Sequence, residues 1–463
     1  MTLSYSWAQL AELSGGQLEK KGTNVPTNVP LRVVVDSRAV QKGDLFVALK
    51  GDRRDGHDFL REVAARGAAG ALVSRPTESL PSDFGVIRVA DGLKGLQNLG
   101  RSHRKKMPVR VIGITGSNGK TTTKEMMAHL LKGIGRDVFA TKGNLNSQVG
   151  LPLMLLELEP QHTHAVLEMG ASAKEDIARL AEMAAPQMAV ITGIGRAHLE
   201  TFGTVEGVLA AKWELVEALG NDGIAFLNAD DPLLMSRRKE ATCSVVTFGC
   251  SVGADVRAEN IRQDPQTVFD LVVGGARREV RLPIPGLFNV TNALAAASVA
   301  LWERGLLPAV AEGLGRFTPP PQRMQMRRRP DGSLFLIDAY NANPDSMAAS
   351  VKSFVHAFPH WPKTAVLGSM LELGVSSEQE HRLLGRSLAG LPLERIFFIG
   401  PEGAWVRAGY TEAGGTKEFL LEEDRDKVRG KISGFLTPEA VVLFKASRGV
   451  RLEEIYEPLL TLS

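Results

Sequence analysis

The sequence contains very little cysteine and has no long hydrophobic run. Among its 463 residues, the cysteines are Cys243 and Cys250, too few for a disulfide framework and without the spacing of a zinc site, which favours a reducing compartment. No stretch of about 18 apolar residues occurs, and the N-terminal MTLSYSWAQLAELSGG lacks a basic segment followed by an apolar run. We therefore expect a cytoplasmic protein without membrane insertion.

The chain also has no strong excess of charge of either sign. Its formal net charge is +3, and the basic cluster SHRKKMPVR (Ser102–Arg110) is short and isolated, with no aromatic or basic repeat beside it. Nucleic acid is therefore not expected as a partner. A hydrophobic content of 44% with 23% charged residues is ordinary for a soluble globular protein, and a monomer is the default expectation.

The distribution of apolar runs divides the chain into three parts. Up to about residue 105, short strand-like runs such as LRVVVDS and DLFVAL lie among turn residues. From VRVIGIT (109–115) onward, β-branched runs alternate with amphipathic helical stretches until FTPPPQRM (317–324) interrupts the chain, after which the alternation restarts. This pattern is typical of parallel sheets with crossover helices. It predicts an α/β protein with domain boundaries near residues 107 and 317.

The segment GITGSNGKTTT has the features of a phosphate-binding loop between a strand and a helix. Gly116 and Gly119 allow the backbone to approach an anion, Lys120 supplies a positive charge, and Thr121 offers a hydroxyl to Mg²⁺. The common template places its first glycine at the position of Ile114, so that template is not matched. The alternative interpretation is a simple glycine turn.

Three further polar residues follow or neighbour apolar segments of the same part of the chain. Glu168 in LEMGA and His198 in GRAHLETFG come after strand-like runs, and ligands of doubly wound sheets collect at the carboxyl ends of strands. A carboxylate and an imidazole there suit divalent ions beside a triphosphate. Taken singly, Glu168 also fits a helix-start carboxylate, His198 a loop histidine, and Lys212 in VLAAKWELV a surface lysine.

A series of motifs carries a resemblance to a known family. In chain order they are TGSNGKTTT, GNLNSQVGLPL, LEMGA, GRAHLETFG, AAKWEL, PGLFNVTNALAA, QRMQ, YNANPDSM, GSMLELG and KASRG, and together they resemble the signature series of the Mur amino-acid ligases from about residue 36 to 453. That family's loop is the shorter G-x-x-G-K-[ST], which this sequence matches. The resemblance implies an N-terminal UDP-substrate-binding domain (1–106), a central ATP-binding domain with a parallel sheet (107–317) and a C-terminal Rossmann-like ligase domain (318–463).

The resemblance also implies the reaction. ATP would phosphorylate the terminal carboxylate of a UDP-linked peptide, and an amine would attack the resulting acyl phosphate. Within the family, YNANP and LELG favour UDP-N-acetylmuramoyl-tripeptide as the acid and D-alanyl-D-alanine as the amine. The implied cofactors are ATP, two Mg²⁺ ions and a carbamate on Lys212. Since an unprotonated amine is needed to capture carbon dioxide, a semi-apolar helix suits that lysine.

The family's functional residues transfer to this sequence position by position. The implied catalytic residues are Lys120, His198, Lys212 and Arg323. The implied nucleotide-binding residues are Thr115, Gly116, Ser117, Asn118, Gly119, Lys120, Thr121, Thr122, Asn289, Asn292, Arg323 and Asp338. The implied substrate-binding residues are Ser37, Arg38, Asn144, Asn146, Tyr340 and Asn341, and the implied metal ligands are Thr121, Glu168, His198 and Lys212. Helix capping is the alternative role for the two asparagines at 289 and 292.

Two departures from the family pattern concern the C-terminal part. Ile337 occupies the position where a first aspartate is expected, and Ala446 replaces the glycine of K-G-S-R. Two alternatives also stay open: another amide ligase of the same superfamily, such as the tripeptide-forming or folate polyglutamate enzyme, and a nucleotide-binding regulatory module. The sequence has no D-N-P-R motif for reading diaminopimelate, and a pure binder would not need the metal residues.

Overall fold

The computed structural model describes residues 5–22, 32–51, 53–77, 80–196 and 199–461. These residues form three sheets, each rich in parallel pairs and each accompanied by helices. The predicted α/β class is therefore confirmed. The predicted boundaries near 107 and 317 fall between consecutive sheets.

The first sheet has five strands in the order β1-β5-β4-β3-β2, and all its pairs are parallel except β1 with β5. Its strands are β1 (Gln17–Lys20), β2 (Val33–Val34), β3 (Leu45–Val47), β4 (Gly70–Val73) and β5 (Gly85–Arg88). The accompanying helices are α1 (Trp7–Ser14), α2 (Leu60–Ala65) and α3 (Gly92–Lys105).

The central sheet has nine strands in the order β14-β13-β12-β11-β10-β9-β6-β8-β7. The pairs β12 with β13 and β13 with β14 are antiparallel, and the other pairs are parallel. The strands are β6 (Arg110–Thr115), β7 (Val138–Ala140), β8 (His164–Glu168), β9 (Met188–Ile191), β10 (Ile224–Asn228), β11 (Ser244–Gly249), β12 (Val256–Asp264), β13 (Gln266–Val273) and β14 (Ala276–Leu282). The helices are α4 (Lys120–Gly133), α5 (Gly150–Leu156), α6 (Asp176–Ala184), α7 (Leu199–Phe202), α8 (Val205–Glu217), α9 (Pro232–Arg237), α10 (Leu287–Trp302) and α11 (Leu307–Gly315).

The third sheet has six strands in the order β15-β16-β20-β17-β18-β19, and β15 pairs with β16 in antiparallel fashion. The strands are β15 (Gln325–Arg328), β16 (Leu334–Ile337), β17 (Lys363–Gly368), β18 (Arg395–Ile399), β19 (Glu418–Leu421) and β20 (Val441–Lys445). The helices are α12 (Pro344–Ala357), α13 (Ser377–Ala389), α14 (Gly403–Glu412), α15 (Arg425–Ser433) and α16 (Glu453–Thr461).

The central parallel strands of each sheet are buried on both faces, since two separate apolar clusters flank them. Parallel strands that are buried on both sides have continuous apolar sequences, which explains segments such as AVVLF (440–444). Strands β6, β8 and β9 are neighbours in the central sheet, and their carboxyl ends therefore meet at one edge. Among the helices of the described residues, none is long and apolar enough to cross a membrane.

Candidate active site

The turn between β6 and α4 requires glycine at two positions, and the missing side chains leave its backbone open to an anion. Gly116 and Gly119 have φ angles of 144° and 83°, which residues with a side chain rarely adopt. A Cβ atom on Gly116 would overlap the hydroxyl of Thr192, and one on Gly119 would overlap the side-chain oxygen of Asn292. Helix α4 begins at Lys120, as predicted, so its free backbone N–H groups point to the turn.

The two residues between these glycines are bonded to other segments. The Ser117 hydroxyl donates to the carbonyl of Gly195 at 3.1 Å and accepts from the Gly195 N–H at 2.9 Å. The Asn118 side-chain oxygen accepts from Nδ2 of Asn343 at 2.9 Å. The loop is thereby tied both to the segment after β9 and to the start of α12.

Lys120 and Thr121 lie beside the predicted metal-binding carboxylate. Lys120 Nζ donates to the carbonyl of Gly116 at 2.7 Å. The Thr121 hydroxyl donates to Oε2 of Glu168 at 3.1 Å, and Nδ2 of Asn146 donates to Oε1 of the same carboxylate at 2.8 Å. Burial lowers the pKa of Lys120, and the charge of Glu168 opposes that shift.

Lys212 lies on α8 among apolar neighbours and is buried, with 2% of its surface exposed. Burial, and then the charge of Lys120, lower the pKa of Lys212 to about 7, while Asp176 and Glu214 oppose the shift. Its Nζ lies 5.7 Å from the centre of the Phe202 ring. A lysine in this setting has an appreciable neutral fraction near neutral pH, unlike a surface lysine.

These elements enclose a cavity of about 420 Å³. Its walls come from the phosphate loop, the segment before α5, the turn after β8 and helix α8. The lining residues are Gly116, Ser117, Lys120, Asn146, Ser147, Gln148, Val149, Gly170, Ala171, Ser172, Asp176 and Lys212. The cavity is thus large enough for a small polar substrate group next to a bound phosphate.

Arg323 follows the three consecutive prolines at 319–321 and reaches the loop from there. Its guanidinium stacks on the Tyr340 ring at 3.9 Å, and Nη2 donates to the hydroxyl of Thr121 at 3.3 Å. Its Nε is buried and has no hydrogen-bond partner within the described residues. Together with Lys120 and Lys212, Arg323 makes this region cationic, as binding of a polyphosphate requires.

Asp338, another predicted nucleotide-binding residue, forms its hydrogen bonds within the C-terminal part. Its Oδ2 accepts from Lys445 Nζ at 2.7 Å, and its Oδ1 accepts from the N–H of Met324 at 3.3 Å. Lys445 also donates to the carbonyl of Asn341 at 3.2 Å. Asp338 and Asn341 therefore belong to one bonded cluster at the end of β16.

Two of the predicted nucleotide-binding residues, Asn289 and Asn292, lie on α10, and Asn292 is next to Gly119 of the phosphate loop. Nδ2 of Asn292 donates to the side-chain oxygen of Asn289 at 3.2 Å, and Nδ2 of Asn289 donates to the carbonyl of Pro285 at 2.7 Å. Oδ1 of Asn292 accepts from the hydroxyl of Thr123 at 3.2 Å. Asn292 thus joins α10 to α4, while Asn289 bonds to Asn292 and to the segment before α10. Helix α10 has no side-chain cap, so these bonds differ from the helix capping considered as the alternative.

A second, smaller cavity of about 40 Å³ lies between the central and C-terminal sheets. Its walls combine the end of the β9 segment with the starts of α12 and α13. The lining residues are Arg196, Asn341, Ala342, Asn343, Pro344, Leu371, Glu372, Leu373, Ser376 and Glu380. The predicted substrate residue Asn341 thus lies here and not in the larger cavity.

Three further predicted residues, Ser37, Arg38 and Asn144, are not part of the lining of the larger cavity. Arg38 is 83% exposed in its side chain and forms a bidentate pair with Asp36 at 2.9 and 2.7 Å; its hydrogen bonds lower the pKa of Asp36 to about 2. Ser37 precedes it on the same short 3₁₀ helix. Asn144 is exposed, and its carbonyl accepts from the Asn146 N–H at 2.8 Å. His198 lies outside the described residues.

The phosphate loop is bordered by two buried threonines that are also predicted nucleotide residues. Thr115 is fully buried, and its hydroxyl donates to the carbonyl of Met169 at 2.9 Å. Thr122 is 6% exposed within α4. Thr115 therefore holds the loop to the turn after β8, and neither side chain faces the open cavity.

Family models match all three parts of the chain. The Mur ligase family catalytic domain matches residues 32–104, the Mur ligase middle domain matches residues 114–300, and the Mur ligase glutamate ligase domain matches residues 322–448. UDP-N-acetylmuramoyl-tripeptide--D-alanyl-D-alanine ligase of Bacillus subtilis is 35% identical over 92% of this chain and 93% of its own length. The chain belongs to the Mur ligase family.

Solved structures of this family superpose on all or nearly all of the chain. MurF from Acinetobacter baumannii has a TM-score of 0.90 at 33% identity, with 100% of both chains covered. MurF from Thermotoga maritima in complex with ADP has a TM-score of 0.83 at 32% identity, and the match covers 92% of this chain and 96% of that one. The three-domain Mur ligase architecture expected from the sequence motifs is therefore confirmed.

The departures from the Mur ligase pattern are explained by packing. Ile337 is fully buried in an apolar cluster on one face of the third sheet. Ala446 is also fully buried, and its Cβ lies 2.8 Å from the place where a Cβ on Gly368 would stand. Both residues fill the interior, and the neighbouring Asp338 and Lys445 keep their ion pair.

The family resemblance implies bound Mg²⁺, and the side chains near the phosphate loop show whether such an ion would fit. No group of three or more His, Cys, Asp or Glu residues is placed to hold a metal in the described part of the chain. Thr121 and Glu168 nevertheless bring a hydroxyl and a carboxylate within 3.1 Å of each other beside the phosphate loop. Mg²⁺ is usually held by one or two protein oxygens together with water and substrate phosphates, so this pair fits one ion.

Sequence reasoning missed several residues that the structure brings to these cavities. Asp176 begins α6 directly after the turn at β8, and Arg196 follows β9. Both lie at carboxyl ends of central strands, where ligands are expected, so the same rule that selected Glu168 would have found them. Asn343 caps α12 and has no comparable local signal, because its partner Asn118 is distant in sequence.

Proposed function

We propose that this Mur ligase joins D-alanyl-D-alanine to the terminal carboxylate of UDP-N-acetylmuramoyl-tripeptide at the expense of ATP. The observation that carries the proposal is the convergence of Thr121, Glu168 and Arg323 beside the phosphate loop and Lys120, in a chain that matches relatives of this name along nearly their whole length. The product would be the UDP-linked pentapeptide used in peptidoglycan synthesis.

The chemistry requires activation of the acid. A carboxylate is a poor electrophile at neutral pH, so a carboxylate oxygen first attacks the γ-phosphorus of ATP and ADP leaves. The amine nitrogen of the dipeptide then attacks the acyl carbon, phosphate leaves, and the nitrogen loses a proton. Phosphoryl transfer of this kind depends mainly on positioning and charge neutralisation.

The phosphate loop and its cations supply those two requirements. Backbone N–H groups at the start of α4 would bind phosphate oxygens, and Lys120 and Arg323 would neutralise the charge of the transferred group. Thr121 and Glu168 would hold Mg²⁺, which neutralises phosphate charge when bound. The larger cavity next to Lys120 holds the tripeptide carboxylate, with Asn146 on its wall.

We propose that Lys212 carries a carbamate. Its burial and its lowered pKa of about 7 provide the neutral amine that reacts with carbon dioxide. The carbamate turns a cation into a carboxylate-like oxygen ligand, which with His198 would hold a second Mg²⁺.

The other sequence predictions complete the proposal. ATP would place its adenine near Asn289 and Asn292 and its ribose near Asp338, while the UDP end of the other substrate binds Ser37 and Arg38 in the domain of residues 1–106. Tyr340 and Asn341 of residues 318–463 would contact the dipeptide, and Asn144 the tripeptide. Residues 107–317 would form the ATP-binding domain, and the enzyme would act in the cytoplasm as a monomer.

ADP release tests the function directly. Purified enzyme is given ATP and UDP-N-acetylmuramoyl-tripeptide, in both its lysine and diaminopimelate forms, with D-alanyl-D-alanine, single amino acids or glutamate as the amine. We expect rapid release with the dipeptide alone and a product of pentapeptide mass. Release with a single amino acid or glutamate and none with the dipeptide would overturn the assignment in favour of another ligase of the superfamily.

A further inference from the structure

Arg196 joins the central and C-terminal domains, and the mechanism above gives it no role. Its Nε and Nη2 donate to Oδ1 of Asp345 at 3.0 and 2.8 Å, and its backbone N–H donates to Oδ2 at 2.7 Å. Its Nη1 donates to both oxygens of Glu380 at 3.0 and 3.2 Å. One guanidinium therefore pairs with two carboxylates that belong to another domain.

The two carboxylates belong to two different helices at the smaller cavity. Asp345 is in the first turn of α12, and Glu380 is in the first turn of α13. Arg196 and Glu380 both line the cavity, and the Glu380 side chain is only 12% exposed. The guanidinium thus fixes the distance between the two helix starts that shape this cavity.

Arg196 is also connected to the phosphate loop through its neighbour in the chain. Gly195 exchanges two hydrogen bonds with Ser117, and the Ser117 N–H donates to the carbonyl of Gly193 at 2.9 Å. Movement of the loop is therefore transmitted to the backbone of Arg196. The bond between Asn118 and Asn343 forms a second, parallel link to the same cavity.

We propose that Arg196 is a positioning residue that couples occupancy of the phosphate loop to the spacing of α12 and α13 next to Asn341, the residue assigned above to the dipeptide. The name of the acceptor rests on the proposed function, and the coupling itself rests on the contacts above. When Arg196 is removed, two carboxylates that shared one cation face each other without it. Their repulsion separates α12 from α13, and the acceptor binds more weakly.

An ordinary surface ion pair contributes little to stability and would have no effect on one substrate in particular. The pairing of Arg196 differs because it is bidentate, spans two domains and is partly shielded from water. We therefore expect a selective effect on the acceptor. Lysine at this position carries the charge but cannot pair with both carboxylates in a fixed geometry.

The test compares Arg196→Met and Arg196→Lys with the wild-type enzyme. Affinity for D-alanyl-D-alanine is measured by equilibrium dialysis, with and without a non-hydrolysable ATP analogue, at saturating UDP-tripeptide; KM values for ATP and for the dipeptide are measured in parallel. In the wild type we expect the analogue to tighten dipeptide binding by on the order of tenfold. Arg196→Met should lose most of this gain and Arg196→Lys part of it, with the KM for ATP nearly unchanged.

Arg277→Met is the matched control, because Arg277 also pairs with two carboxylates, those of Glu259 and Asp270, but within one domain. It should leave the coupling intact. In a protein that already carries Asp345→Asn and Glu380→Gln, adding Arg196→Met should have almost no further effect on dipeptide binding. The two side chains are then uncharged and no longer repel each other.

The outcomes separate the two proposals. If the wild type does not ligate the dipeptide, the proposed function fails. If the wild type does so and Arg196→Met keeps the full effect of the analogue, the coupling is refuted. An equal change in all affinities, accompanied by a lowered melting temperature, would show a merely structural role and also refute it.

Discussion

The ammonium group of Lys124 donates a hydrogen bond of 2.6 Å to the backbone carbonyl of Thr141. The hydroxyl of Thr141 in turn accepts the N–H of Glu168 at 2.9 Å. Lys124 is 1% exposed and also pairs with Glu125 at 2.9 Å. A buried cation on the helix of the phosphate loop therefore supports the strand end that carries the predicted metal ligand.

Replacing this cation should weaken both the fold and the reaction. In Lys124→Met, the Thr141 carbonyl loses a buried donor, and we expect the free energy of unfolding to fall by about 1–3 kcal/mol. Glu168 would also be less well placed, so kcat should decrease. Lys132→Met on the exposed last turn of the same helix is the control, and urea unfolding of both variants provides the measurement. Equal unfolding midpoints for the two would contradict this account.

Lys120 should be needed for chemistry and not for folding. In Lys120→Ala, the positive charge next to the transferred phosphoryl group is missing, and we expect a loss in kcat on the order of a hundredfold or more. ADP release measures the rate, and far-ultraviolet circular dichroism checks the fold. Turnover close to the wild-type value in a folded variant would show that the loop has no catalytic role.

The sequence predicted this loop because its features are local. A strand, two glycines and the Lys120-Thr121 pair adjoin in the chain, and their geometry follows from backbone conformation alone. The pairing of Arg196 could not be predicted in this way, since its partners Asp345 and Glu380 come from another domain. No local signal distinguishes Lys124, because a lysine is usually exposed, and only the fold shows that its amine is enclosed.

The fold was predicted best where apolar runs alternate with amphipathic helices. The antiparallel strands β12 to β14 were not foreseen, because strands such as ARREVRL are mostly polar and exposed. Their place at the edge of the central sheet leaves one face in water, so the apolar pattern is weak. Tertiary position, not local preference, decides the conformation of such segments.

Substrates should change the distance between the domains. Thr121 and Arg323 lie on opposite sides of the proline-rich segment, yet their side chains are 3.3 Å apart, so ATP contacts both only when the domains are close. We expect small-angle scattering to give a larger radius of gyration without ligands than with a non-hydrolysable ATP analogue and UDP-tripeptide. The Arg196→Met variant should show a smaller difference. Superimposable profiles with and without ligands would count against closure.

The carbamate on Lys212 gives a prediction with a defined pH dependence. Burial, and then the charge of Lys120, lower the pKa of Lys212 to about 7, so the neutral fraction of the amine increases as the pH rises through that value. Only the neutral amine reacts with carbon dioxide. At a fixed concentration of dissolved carbon dioxide, carbamate occupancy should therefore rise with pH around 7, as measured by the ¹³C NMR signal after addition of labelled bicarbonate.

Two substitutions distinguish the carbamate from a simple cation. Lys212→Arg keeps the charge but offers no nucleophilic amine, so we expect it to be inactive and to lack the ¹³C signal. Lys212→Ala should lose most activity, and short carboxylic acids at high concentration should restore part of it, because they supply the missing carboxylate near the phosphate loop. If the lysine served only as a positive charge, Lys212→Arg would remain active and added acids would have no effect. An active Lys212→Arg enzyme would therefore exclude the carbamate.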